Sequence, residues 1–118
     1  MKIRIKGGSI RYRLTRTDIE RIVKTGYLEE KVNFREEALF YVLQRTDQNQ
    51  LTSSFINNTI TLYAPGQMIT EMMDTDRVGF ENNYGELHLL IEKDFTCLDN
   101  VTEDQSDNYP NPLKEKFL

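Results

Sequence analysis

At 118 residues, with 29% charged side chains and a formal net charge of −4, the chain has the length of one domain with a modest core. Its 32 Leu, Ile, Val and Phe residues exclude a disordered chain. Cys97, the sole cysteine, excludes an internal disulfide and points to a reducing, cytoplasmic setting.

The first strand is expected at Lys2 to Lys6, with Ile3 and Ile5 on one face and Lys2, Arg4 and Lys6 on the other. Gly7-Gly8 supplies a tight turn, and Ser9 to Leu14 alternates again, setting Ile10, Tyr12 and Leu14 against Arg11 and Arg13. Thr17-Asp18-Ile19-Glu20 fits a capping box that starts a short helix, and Gly26 stops it. Tyr27 to Phe34 reads as extended, Leu39 to Gln44 as a central strand and Gln48 to Ser53 as a loop. Phe55-Ile56, Asn57-Asn58 and Thr59 to Tyr63 form a second hairpin. Pro65 opens a second helix whose apolar face is Met68, Ile69, Met72 and Met73. Val78 to Phe80 and Leu87 to Lys93 close the series as strands, with Glu81 to Gly85 as the turn between them. No apolar run is long enough for a signal peptide or a membrane span.

A shift of fifty residues matches the two halves. Gly7-Gly8 meets Asn57-Asn58, Ile10 meets Ile60, Ile19 meets Ile69, Ile22 meets Met72 and Leu28 meets Val78. The expected fold is therefore α+β: a duplicated ββαββ unit (residues 1–47 and 51–95) forming a mostly antiparallel, strongly curved sheet or an eight-stranded barrel with two short helices. One domain would span residues 1–98. An acidic tail, 99–118, would pack on it or flank it, pinned by Phe95, Leu98, Tyr109 and Leu113.

Charge is distributed unevenly. Residues 1–16 hold six basic side chains and no acid, whereas Glu81 onward holds nine acids against three lysines. Lys2, Arg4, Lys6, Arg11 and Arg13 share one face of two paired strands, where neighbours lie about 5–7 Å apart. Such crowding invites an anion, either a ligand or the acidic tail. The second hairpin carries Thr59, Thr61 and Tyr63 instead, which confines any such role to one half. His88 has no obvious nucleophile partner, and Cys97 fits a small buried space. Glu103, Asp104 and Asp107 lack the spacing of a calcium loop, so neither a metal site nor a cofactor is expected.

Met1 to Thr15, Glu92 to Leu98 and Glu103 to Pro112 resemble the opening and closing motifs of a small, uncharacterised bacterial family. A more distant similarity is to the triphosphate-tunnel (CYTH) proteins, which are duplicated β-barrels with a basic tunnel and metal-binding glutamates. Lys2, Arg4, Lys6, Arg11 and Arg13 resemble that lining, but the first strand lacks the Glu-x-Glu-x-Lys opening. Two functions stay open: a non-catalytic binding or regulatory module, including one that forms a homodimer, and a domain that binds a phosphate ester or nucleotide through the five basic residues. With a pI near 5.0 and no other basic patch, nucleic acid is disfavoured as a partner.

Overall fold

A computed structural model describes residues 1–96 and 105–111. In chain order the elements are β1 (Lys2–Lys6), β2 (Ser9–Leu14), α1 (Arg16–Thr25), β3 (Tyr27–Asn33), β4 (Ala38–Thr46), β5 (Thr52–Ile56), β6 (Thr59–Pro65), α2 (Gly66–Asp74), β7 (Gly79–Tyr84) and β8 (Leu87–Lys93). The α+β class follows from these elements, but the expected single curved sheet or closed barrel does not form. There are two four-stranded sheets, ordered β1-β2-β8-β7 and β3-β4-β6-β5.

The reason lies in how the hairpins pair. Each sheet takes one antiparallel hairpin from each half of the chain and joins them through a central parallel pair, β2–β8 or β4–β6. This leaves β1, β7, β3 and β5 as edges. A parallel connection needs a long crossover, and here α1 and α2 carry the chain from one sheet to the other. The sheets are thus tied by helices and side chains rather than by a continuous ladder.

The hairpin registers repeat. Lys2 stands opposite Arg13 in β1–β2, and Thr52 opposite Tyr63 in β5–β6, fifty residues on. The central parallel pairs differ: Ser9 faces His88, whereas Thr59 faces Phe40 rather than Ala38.

Several local boundaries depart from the sequence reading: β4 is longer at both ends than Leu39 to Gln44, and β6 runs through Pro65, so α2 starts at Gly66. The N-cap of α1 is Thr15, not Thr17. Its side chain accepts the Asp18 amide, and Asp18 accepts the Thr15 amide. The shorter aspartate closes the box as well as a glutamate would, and the helix then starts directly after β2 with Ile19 and Ile22 buried. β5 begins at Thr52, so part of the expected loop is strand. β7 continues through Glu81 to Tyr84, because the β7–β8 ladder pairs these polar residues as far as Leu87 and the chain reverses at Gly85-Glu86.

The core draws on both halves: Tyr12, Leu14, Ile19, Ile22, Leu28 and Leu43 from the first, and Leu62, Ile69, Met72, Leu89 and Ile91 from the second. Met68 packs against it, while Met73 is exposed. Tyr12 joins the sheets. Its ring meets Tyr41 edge-on at 6.3 Å between centroids, and its hydroxyl donates to the Ile60 carbonyl oxygen at 2.9 Å. Burial pushes that hydroxyl well above the usual tyrosine range.

Two buried charges, one at the N-terminus and one at the end of β8, tie the sheet to the helices. The N-terminal ammonium lies 2.7 Å from Asp18 Oδ2. Lys93, whose pKa burial lowers, donates Nζ to the Thr75 carbonyl oxygen at the end of α2 (2.9 Å).

The described part of the tail returns to the body. The Tyr109 amide donates to the Asp94 carbonyl oxygen (2.9 Å), the Thr96 amide donates to the Tyr109 carbonyl oxygen (2.7 Å), and the rings of Phe95 and Tyr109 meet edge-on. Cys97, Leu98 and Leu113 lie outside the described residues. No helix among the described residues is long and apolar enough to cross a membrane.

Candidate anion-binding face

The β1–β2 register puts Lys2 opposite Arg13, Arg4 opposite Arg11 and Lys6 opposite Ser9. Since side chains alternate across a strand, all five basic residues share one face, and Ile3, Ile5, Ile10, Tyr12 and Leu14 share the other. The apolar face turns to the core. The basic one therefore points outward on an open sheet and does not line a tunnel.

β8 and β7 extend this face. Glu92, Leu90 and His88 follow beside β2, then Gly79, Glu81 and Asn83 on β7. The result is a charge gradient across one sheet, basic at the β1 edge and acidic toward β7.

Counter-ions are concentrated at the helical end. Glu92 Oε1 lies 3.4 Å from Nε of Arg11 and 3.4 Å from Nε of Arg13, and Asp94 Oδ2 lies 3.1 Å from Lys2 Nζ. Arg4 and Lys6 have no ion pair among the described residues. Arg4, Lys6, Ser9 and Arg11 enclose a surface concavity of about 190 Å³. Cavities for whole small molecules begin near roughly 300 Å³, so this one suits a phosphate group rather than an entire ligand. At about 5 Å, Arg4 and Arg11 repel by on the order of 1–3 kcal/mol in partly screened surroundings. A bound anion would offset that repulsion with attraction to both cations.

Other candidate groups are occupied differently. His88 Nδ1 is 2.7 Å from Asn83 Oδ1 and Nε2 is 3.2 Å from Glu81 Oε2, so β7 engages both ring nitrogens. Among the described residues no cluster of three or more His, Cys, Asp or Glu could hold a metal ion. Glu103 and Asp104 lie outside the described residues.

Asp107 does not sit on the basic strands. It accepts from the Thr17 hydroxyl at 3.0 Å, beside the start of α1. Hydrogen bonding to Thr15 does most to hold its carboxyl below the usual range; burial opposes this, while Thr17 and the Arg16 charge reinforce it. A larger concavity, about 530 Å³ around Arg45, Asp47 and Gly66, offers a less available cation. Arg45 donates to the Ile22 and Val23 carbonyl oxygens and so closes the end of α1.

In the β5–β6 hairpin, Ser54, Ile56 and Thr61 stand where β1–β2 has Arg4, Lys6 and Arg11. What the sequence reading missed was the role of Glu92 and Asp94 as internal counter-ions. Their place depends on the parallel β2–β8 register, which links residues 79 apart.

The chain belongs to a family of unknown function, DUF7009, whose model matches residues 1–113. Neither the curated proteins nor the solved structures include a match to it.

Proposed function

We propose that this chain is a non-catalytic binding module whose outer β1–β2 face takes a phosphorylated anion through Arg4, Lys6 and Arg11. The observation that carries the reading is the division of charge on that face. Glu92 and Asp94 offset its helical end, while Arg4 and Lys6 have no counter-ion among the described residues and lie beside a phosphate-sized concavity. Lys2 and Arg13 lie on the same face and add long-range attraction. Among the described residues the outer face of this sheet carries no Phe, Tyr or Trp on which a base could stack, and its one imidazole, His88, is engaged by Asn83 and Glu81, which favours a small phosphate compound over single-stranded nucleic acid. Its openness to solvent favours binding over hydrolysis, because a reacting phosphate would not be shielded from water.

The two halves are read as copies of one ββαββ unit. Equal hairpin registers at a shift of fifty residues support this, as does the exchange of one hairpin from each half into each sheet. Under this reading the binding face evolved in one copy, and the neutral β5–β6 face serves as an internal control.

A thermal-shift series tests the proposal with orthophosphate, pyrophosphate, tripolyphosphate, nucleotides and a single-stranded oligonucleotide, each with and without magnesium. Pyrophosphate or tripolyphosphate is expected to raise the melting temperature without magnesium. Arg4→Ala is expected to weaken binding roughly tenfold, the loss of one charge-assisted hydrogen bond. No stabilisation by any phosphate compound would retire the reading, and release of orthophosphate during incubation would replace it with a hydrolase.

A further inference from the structure

Each sheet ends in two edge strands, and an edge leaves a row of backbone N–H and C=O groups open to another chain. Three of the four edges carry charged side chains that discourage such pairing: Lys2, Arg4 and Lys6 on β1, Glu29, Glu30 and Lys31 on β3, and Glu81 on β7. The fourth, β5, carries none. It has no proline, and its ladder to β6 runs residue for residue without a bulge. From Gln48 to Thr70 the chain has no charged side chain, although 29% of its residues are charged. Phe55 and Ile56, 69% and 64% exposed, are the most exposed large apolar side chains among the described residues.

The hairpin register fixes which backbone groups of β5 are open. In a two-residue hairpin the residues flanking the turn, here Ile56 and Thr59, bond to each other. Ile56, Ser54 and Thr52 therefore bond to β6, while Ser53 and Phe55 turn their N–H and C=O groups outward. The Leu51 carbonyl, next in that outward series, accepts from Asn82 Nδ2 at 2.8 Å. Beyond that cap, no strand among the described residues pairs with the outer side of β5.

We propose that β5 pairs antiparallel with β5 of a second copy of the chain, about a two-fold axis at Ser54. This register sets Ser53 opposite Phe55 of the other copy in both directions, and each such pair exchanges two backbone hydrogen bonds, about four in all. Side-chain size favours a copy over an unrelated strand. The first half of β5 is small, Thr52-Ser53-Ser54, and the second is large, Phe55-Ile56. Reversed on itself, the strand lays Phe55 across Ser53 and Ile56 across Thr52, each twice, with no charge to repel. The joined sheet has the charged β3 strands as its outer edges, so assembly stops at the dimer.

Sedimentation equilibrium over a range of concentrations, paired with amide hydrogen exchange, tests this. Wild type is expected to dimerise. Its Ser53 and Phe55 amides should gain protection with concentration, while the Ser54 amide, bonded within the hairpin, should not change. Phe55→Lys is expected to weaken association at least about tenfold, since it removes two cross-strand contacts and puts charge on the edge. Phe55→Pro is expected to do the same and to spare the β5–β6 ladder, because the lost N–H faces outward. Both should keep the wild-type circular-dichroism spectrum. A wild type that is monomeric at every concentration would overturn the inference. So would a dimer that both variants leave intact, protection on another edge, or growth beyond a dimer. β5 lies outside the basic sheet, so pyrophosphate binding and dimerisation can fail separately.

Discussion

Arg4 and Arg13 illustrate how one residue type can serve two ends on one surface. Arg13 shares Glu92 with Arg11, whereas Arg4, one register position further along, has no counter-ion among the described residues. Removing the shared acid should therefore add to the binding face. Glu92→Gln is expected to raise pyrophosphate affinity several-fold by calorimetry, since two guanidinium groups lose their internal partner.

Asp107 makes a second residue-scale prediction. Its folded pKa is depressed, so the stability it contributes is complete above the unfolded value of 3.8 and is lost as pH falls below it. Asp107→Asn is expected to melt lower than wild type at neutral pH, and the difference should shrink in acid. The five basic residues and their shared face were legible because alternation in a strand needs only local sequence. The anions beside them were not, since Glu92 arrives on β8 and Asp94 directly after it.

At the scale of elements, most local structure was written locally. The exact bounds of β1 and β2 follow from period-two alternation, and Asn57 and Asn58 both adopt the left-handed conformation that a tight hairpin turn demands. The helix start was misplaced by two residues because two overlapping Thr-x-x-acid boxes compete, and the one flush with β2 prevails. Thr15→Ala is accordingly expected to cost about 1 kcal/mol in a denaturant melt, as lost N-caps do.

β7 offers a sharper steric case. A Cβ at Gly79 would lie 2.2 Å from the Ile91 carbonyl oxygen and 2.8 Å from Glu92 Cα, so β8 leaves no room for it. Gly79→Ala is expected to destabilise by roughly 3 kcal/mol or more, because backbone, not a yielding side chain, stands in the way.

For the molecule as a whole, the decisive pairing is between halves. Two ββαββ patterns can be read from the chain, but nothing local tells β2 to choose β8, or β4 to choose β6. That choice converts an expected barrel into two sheets with four free edges. What holds the sheets together is correspondingly sparse, and the Tyr12 hydroxyl on the Ile60 carbonyl is one of the direct joints. Tyr12→Phe is expected to cost about 1–2 kcal/mol, since the buried carbonyl loses its partner and no water replaces it.

The central claim is that a phosphorylated anion binds on the β1–β2 face. It is tested most directly by titrating pyrophosphate into ¹⁵N-labelled protein and mapping the amide shifts. The account expects shifts concentrated in residues 2–14, fading with added salt, and absent from the matching β5–β6 hairpin. Shifts centred on the concavity at Arg45 and Gly66, or none at all, would contradict it.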